Sequence, residues 1–567
     1  MKLKPILHKI SSREWMITGI ILFAAFVLRS VHIFNVPPGV SNDEVGYFYN
    51  AYSIAKTGTD IYGRSWPLMF HIGGWPFMPV PVYILSFVYR FLEPTAFVSR
   101  LPNIMFGTLG IFVLMSIVQI VFRNTRLSLV TGAVLAVSPW HMHFSRTGYD
   151  GPIAIFFYLV GLLIGSWSVI RGRSIVWMAL PWVLAIASHR ASSVLAFPVL
   201  VVFTLFHWSK FSSKRRYFIE IILVTVIAIA SWFLLMRANL AIGGTRSFTQ
   251  EVSLFDVPVM EKEIIEEIKQ SDAPLWVARI FNNKLTYTFR KIRENYLHVF
   301  SPQFLFTSGE GDGIYSIWWR GQLYIFDIPM ILFGFTYLAV LSYSGAWYIA
   351  LLILLAPIPA AISSGIYSMR AFLLSYLLPV LIAAGILWWS DAAHRRSRLT
   401  GRIMVLVIGL GYMAVVSSYL YQYHFRYPTY GADRWFKADK DLAAIIAVEA
   451  HRYTETIVAP AGLDVVLQYA YHNNIHPRII QEAIAQEKKD EIRLPGGIRF
   501  VQACPYGNRP VETFLTSTMI AIVRDSCLET SKPTETIYAP KSMRIFWKIY
   551  RGDSMPSNVT AKDARVR

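Results

Sequence analysis

Apolar runs of roughly twenty residues dominate this chain, set apart by short polar clusters. They begin near Trp15, Leu101, Leu127, Gly151, Ile175, Ser192, Tyr217, Leu323, Trp347, Ala371 and Ile403. A bilayer core about 30 Å thick needs roughly 20 apolar residues per helix, so the pattern predicts about eleven transmembrane helices. Within 35–100 a shorter apolar stretch, 80–92, predicts a helix lying along the interface. The stretch 259–300, acidic and then basic, predicts a second surface-lying segment. After about Gln422 the pattern changes: strand-like pieces at 456–459, 500–503, 519–523 and 545–550 alternate with helical ones at 440–451 and 463–472. That alternation predicts a small α/β domain. The organisation expected is a membrane module over 1–422, with large loops 35–100 and 237–322, followed by an α/β domain over 423–567.

Charge gives the helices a direction. Lys2, Lys4, Lys9 and Arg13 precede the first run. Arg123 and Arg126 follow the second, Arg171 and Arg173 the fourth, Lys210 to Arg216 the sixth, and Arg395 to Arg402 the tenth. Counted through the spans, all these clusters fall on one side, which the positive-inside rule makes cytoplasmic. The two large loops and the C-terminal domain then lie outside. The net charge of +19 is spent on these clusters, as topology signals and anionic lipid contacts, and no nucleic-acid groove is expected. Hydrophobic residues make up 54% of the chain and charged ones 16%, well below the quarter usual for soluble domains. The basic N-terminus lacks a small-residue cleavage site, so the first run reads as a retained span. Both cysteines, Cys504 and Cys527, fall in the outer α/β domain, which suggests a disulfide; two buried thiols are the alternative.

Ionisable residues are disfavoured at span ends on the outer side, yet this chain collects them there. Asp43 and Glu44 follow the first span, Arg146 and Asp150 lie between the third and fourth, His189 and Arg190 between the fifth and sixth, and Arg370 precedes the tenth. Each has a plainer reading: Asp43 and Glu44 in a solvated loop, Arg146 reaching to headgroups as Arg29 does, Asp150 capping the helix that follows, His189 hydrogen-bonding at the interface. Together they supply the parts of a group transfer. No nucleotide-sugar pool exists outside the cytoplasm, so a sugar donor there is carried on a lipid phosphate. Arg146, Arg190 and Arg370, with His189, would hold that phosphate, and a carboxylate would take the proton of an incoming hydroxyl.

The same residues carry a family resemblance. Ser41-Asn42-Asp43-Glu44-Val45-Gly46-Tyr47, Pro81-Val82-Tyr83, Ser99-Arg100-Leu101-Pro102, Ser138-Pro139-Trp140 with Ser145-Arg146-Thr147, and the stretch from Asn295-Tyr296 to Phe306 occur in order. In these the chain resembles the protein O-mannosyltransferase and aminoarabinose transferase group of the GT-C superfamily, its bacterial members above all, over most of 15–435. The resemblance implies an α-helical polytopic membrane protein of GT-C type. It also implies an inverting transfer from a polyprenyl-phosphate sugar to an extracytoplasmic acceptor in the cell envelope. It puts the catalytic base on Asp43, with Glu44 beside it, a second acidic position on Asp150, phosphate-binding roles on the basic groups, and substrate contacts on Tyr47 and Tyr83. Two features depart from the pattern. Aminoarabinose transferases carry Glu-Lys just before Pro-x-Tyr, where this chain has Phe77-Met78-Pro79, so their metal site does not carry over and a divalent-metal requirement stays open. The eukaryotic enzymes carry a large inserted domain between the seventh and eighth spans, for which this loop is too short, so the resemblance implies a bacterial or archaeal plasma membrane.

Two other classes fit parts of the pattern. A lipid-linked glycan flippase or transporter predicts ionisable residues at mid-membrane and broken helices in two related halves, and neither is evident. A membrane-anchored binding protein leaves the outer charges unexplained.

Overall fold

The computed structural model describes residues 11–242, 257–363, 365, 367–487, 490–504, 510–527, 531–540 and 542–554. Lys2, Lys4 and Lys9, at the predicted basic N-terminus, lie outside the described residues. The chain divides into two compact units, one of residues 1–31 and 101–422 and one of residues 32–100 and 423–567.

The first unit is helical. Each of the eleven apolar runs falls on a helix, and among the described residues seven helices are long and apolar enough to cross a membrane: Ala96–Phe122, Gly151–Ile170, Ala191–Lys210, Lys214–Ala241, Tyr343–Ala361, Leu374–Arg396 and Arg398–Tyr430. Three runs give the shorter apolar helices Thr125–Val137, Val176–Ile186 and Ile325–Leu341. The run from Leu127 is cut because Pro139 has no N–H to continue the ladder, and a new short helix, Pro139–Phe144, starts there. The first run forms Ser12–Ser30, opened by a capping box in which Ser11 and Glu14 satisfy each other's backbone N–H. The acidic-then-basic stretch folds into helices Val257–Lys269, Leu275–Phe281 and Lys284–His298. Ion pairs Lys284–Glu261 at 2.8 Å and Lys291–Glu263 at 3.1 Å join the first of these to the last.

Arg29 differs from the expectation that it reaches to headgroups. It is fully buried, bonding the carbonyls of Ala25 and Ala136 at 3.0 Å and His141 Nδ1 at 2.8 Å. The break before Pro139 ends a helix and leaves its last carbonyls without intrahelical donors, which gives the guanidinium acceptors inside the bundle.

The second unit joins the first large loop to the C-terminal segment. The sequence pattern groups this loop with the membrane module, whereas the structure packs it with the C-terminal segment. Its helix Asn42–Thr57 is buried almost throughout and needs cover on every side. Helices Leu463–His472 and Pro477–Ala485 supply that cover. Asn42 Nδ2 bonds Asp464 Oδ2 at 2.9 Å, Tyr49 Oη bonds the Ile475 carbonyl at 2.8 Å, and Gln481 Nε2 reaches Thr59 Oγ1 and the Asp60 carbonyl, both at 2.8 Å. The short apolar stretch expected as a helix over 80–92 forms Pro79–Tyr89, with one face buried and Phe87 exposed. A hairpin, β1 (Phe70–Ile72) and β2 (Trp75–Phe77), completes the loop.

The C-terminal sheet contains β3 (Glu455–Ala459), β4 (Glu491–Leu494), β5 (Ile498–Val501), β6 (Met519–Val523), β7 (Glu535–Tyr538) and β8 (Ile545–Arg551), in the order β4-β5-β3-β6-β8-β7. The central strands β5, β3 and β6 run parallel; the outer pairings are antiparallel. Strand β6, Met-Ile-Ala-Ile-Val, is buried along its whole length, as a covered parallel strand must be. Cys504 and Cys527 form the suggested disulfide.

Candidate functional site

In the helical unit the structure gathers polar residues from three separate segments. Asp150 stands at the N-cap of Gly151–Ile170, yet its side chain makes no capping bond. The capping explanation is therefore set aside. Its Oδ1 lies 4.0 Å from Nε2 of His189, in the turn between helices Ala179–Ile186 and Ala191–Leu195. His189 Nδ1 accepts from the Ser192 backbone N–H at 3.3 Å and sits 2.7 Å from its hydroxyl, so in the neutral ring the proton is on Nε2, toward Asp150. Burial holds the His189 pKa below its ordinary value; Asp150 pulls it up, and the charges of Arg370 and Arg190 push it down.

Arg370 ends the short helix Tyr367–Arg370 and bonds the Gly365 carbonyl at 2.6 Å. Glu310 fixes that helix: its carboxylate accepts from the backbone N–H of Tyr367 at 2.9 Å and of Ser368 at 2.8 Å, and from the Ser368 hydroxyl at 2.6 Å. Met369 packs on the Cα of Gly151, which brings the helix against the Asp150 end of Gly151–Ile170. Asn295 joins the same support, accepting from Tyr367 Oη at 3.0 Å. Asp150, His189, Arg190 and Arg370 thus form one electrostatically coupled group. Arg146 is fully buried and engages the Leu28 carbonyl at 2.9 Å, at the end of the first helix.

Asp43, Glu44, Tyr47 and Tyr83 belong to the second unit. Ser41 caps helix Asn42–Thr57 by accepting from the Glu44 N–H, and Glu44 answers the Ser41 N–H. Asp43, one position earlier in that turn, is exposed. Glu44 is completely buried; Arg100 grips both its oxygens, Nε to Oε1 at 3.0 Å and Nη2 to Oε2 at 2.8 Å. Tyr47 is buried and meets Phe77 edge-on at 4.9 Å. Gly46 makes room for that ring: a Cβ there would come within 2.5 Å of Phe77 Cζ. Tyr83 donates to the Pro67 carbonyl at 2.7 Å and stacks on the exposed Trp66 at 5.7 Å.

No family model and no curated protein matches the chain. Among solved structures it is similar to the oligosaccharyltransferase AglB of Archaeoglobus fulgidus, in complex with an inhibitory peptide and a dolichol-phosphate. The identity is 11%, over 90% of this chain and 69% of that one, with a TM-score of 0.49. It is similar to ArnT of Cupriavidus metallidurans bound to undecaprenyl phosphate, at 12% identity over 95% and 98% of the two chains and a TM-score of 0.46. A third is the arabinosyltransferase EmbB of Mycobacterium smegmatis, at 13% identity, 79% and 44% coverage and a TM-score of 0.35.

Sequence reasoning missed Glu310 and the Arg29–His141 pair. Glu310 sits in Gly309-Glu310-Gly311-Asp312-Gly313, a polar, glycine-rich island, and that composition was the available signal. Among the described residues no group of three or more His, Cys, Asp or Glu is placed to hold a metal ion.

Proposed function

We propose that the chain is a membrane glycosyltransferase that moves a sugar from a polyprenyl-phosphate donor to an extracytoplasmic hydroxyl or phosphate, inverting the anomeric centre. The observation that supports this most is the convergence of Asp150, His189, Arg190 and Arg370 in the helical unit. Two guanidinium groups beside a neutral imidazole suit a phosphate that gains charge as it leaves. In the transfer, the acceptor oxygen forms a bond to the anomeric carbon as the bond from that carbon to the phosphate oxygen breaks. The electron pair departs with the polyprenyl phosphate, and the acceptor proton passes to a carboxylate.

Asp43 is assigned that carboxylate on its exposure, its place after the first span and the resemblance of its motif. Asp150, beside the basic group, is the rival base and otherwise orients His189. Glu44 is assigned a positioning role, since Arg100 and the helix cap already engage it. The stacked pair Tyr83 and Trp66 offers an aromatic face to a sugar ring, and Tyr47 shapes the hairpin through Phe77. Arg146 is kept as a phosphate-site candidate.

Transfer from a synthetic polyprenyl-phosphate sugar by the protein in nanodiscs tests the reading. Asp43→Asn should retain donor binding and lose turnover roughly a hundred-fold or more. Arg190→Ala and Arg370→Ala should each lose about ten- to a hundred-fold in donor affinity or rate. Full activity in Asp43→Asn with none in Asp150→Asn would exchange the two carboxylates. Absence of polyprenyl phosphate release from any such donor would sink the proposal.

A further inference from the structure

The second unit holds a cavity of about 260 Å³ whose lining includes Phe34, Gly39, Arg100, Lys440, Tyr471 and His472. Its charges are unevenly answered. Arg100 is fully buried and spent on Glu44 and on the Gly39 carbonyl, 2.7 Å away. Lys440 lies in the first turn of helix Lys437–Glu449, where the helix macrodipole disfavours a cation. Lys437, in the same turn, is paired with Asp441 Oδ2 at 2.6 Å, whereas Lys440 has no hydrogen-bond or ion-pair partner for its ammonium among the described residues. His472 ends helix Leu463–His472, and its Nε2 is buried with no hydrogen-bond partner. The preceding residue is fixed, Tyr471 Oη to Ser99 Oγ at 2.7 Å, so the imidazole is held at the cavity by its neighbour.

We propose that this cavity is a binding site for a phosphate group, held by Lys440 and His472 with Arg100 behind them. The inference does not rest on the glycosyltransferase reading, which uses none of these three side chains as a phosphate ligand. Lys440, whose ammonium has Asp441 nearby but no direct bond to it, and His472, whose buried Nε2 has no hydrogen-bond partner, both line this cavity, and an anion with several acceptor oxygens satisfies both. The cavity is lined by residues just after the first span and at the start of Ala96–Phe122, which places it in sequence where headgroups begin. Phe34, exposed at its edge and 6.5 Å from Phe97, gives that edge an apolar surface. A lipid headgroup and a small soluble phosphate share the required chemistry.

The electrostatics add a pH dependence. Burial, then Lys440 and Arg100, push the His472 imidazole down to about 4. Burial also lowers Lys440, as do Lys437 and Arg100, and Asp441 opposes them. A bound anion favours the protonated imidazole, so its pKa is higher in the complex. Between the two values binding takes up a proton, and affinity rises as pH falls toward 4.

The test uses the whole protein in detergent, with inorganic phosphate titrated by calorimetry, and in vesicles of phosphatidylcholine with or without phosphatidylglycerol, with co-purified lipid counted by native mass spectrometry. Saturable binding of inorganic phosphate alone assigns a soluble ligand, and selective retention of phosphatidylglycerol assigns a headgroup. Either signal should fall about tenfold or more in Lys440→Gln and recover in Lys440→Arg. Phosphatidylglycerol, whose diester does not titrate between pH 5 and 8, should be retained more strongly at the lower pH by the wild type. In His472→Gln that pH response should be lost. Saturable binding of neither probe, or binding by Lys440→Gln equal to wild type with an unchanged melting temperature, overturns the proposal.

Discussion

Glu44 and Arg100 bury a complete pair of opposite charges inside the second unit, with the guanidinium fork laid on both carboxylate oxygens and stacked over the Trp435 ring at 5.6 Å. Two charges taken out of water together are tolerable; one left alone is not. Glu44→Gln or Arg100→Met should therefore each destabilise the unit by about 3–5 kcal/mol, and the double substitution should cost less than the sum. Asp43→Asn, one residue away and exposed, should leave the melting temperature unchanged. Thermal unfolding of the four variants checks this, and equal losses in Asp43→Asn and Glu44→Gln would contradict the separation of roles. The acidic pair was legible in the sequence, because two carboxylates after a span are conspicuous. The division between them was not, since the partner of Glu44 stands 56 positions along the chain. Arg29 shows the same limit: its basic character is visible, but the Leu135 and Ala136 carbonyls that help to hold it are free to accept because a helix ends at Val137.

Helices carry their length in the apolar runs, and so their existence was readable while their packing was not. Helices Ile328–Leu341 and Leu374–Arg396 cross at two glycines. A Cβ on Gly334 would lie 2.0 Å from the Leu381 carbonyl oxygen, and one on Gly385 would lie 1.9 Å from that of Met330. Backbone meets backbone at both points, the close approach that small residues permit between helices in a bilayer. Neither carbonyl can give way without moving its helix, so Gly334→Ala and Gly385→Ala should each lower the yield of monodisperse protein and its unfolding temperature. Gly409→Ala, at a position with nothing within 4 Å of an added Cβ, is the control and should behave as wild type. In the C-terminal domain the buried strand Met519–Val523 and the helix Leu463–His472 were read to the residue. Strands Glu491–Leu494 and Glu535–Tyr538 were missed; four residues at the sheet edge, rich in Glu, Arg and Thr, lack the apolar alternation that marks a strand.

At the scale of the whole molecule, the basic clusters that set the expected topology are neighbours in the helical unit. Arg216 Nη1 bonds the Gly172 carbonyl at 3.2 Å, Tyr217 Oη bonds the Arg173 carbonyl at 3.1 Å, and Glu220 accepts from the Ile175 N–H at 2.8 Å. Lys210 lies within electrostatic reach of Arg123, and Arg126 pairs with Asp391 at 3.0 Å, one turn before Arg395. Four clusters, spread along the chain from Arg123 to Arg402, therefore belong to one end of the bundle. Gathering so much like charge is unfavourable unless an anionic leaflet faces it, which supports placing that end in the cytoplasm. The disulfide between Cys504 and Cys527, 23 positions apart, is of the kind found in oxidising compartments and agrees with the expectation that the other unit lies outside. A reporter that is active only in the cytoplasm should thus report when fused after Ser209 and stay silent when fused after Tyr430, and a periplasm-type reporter should do the opposite. The same sidedness at both positions would refute this topology, and with it the assignment of Asp43 and the sugar transfer to the outer face.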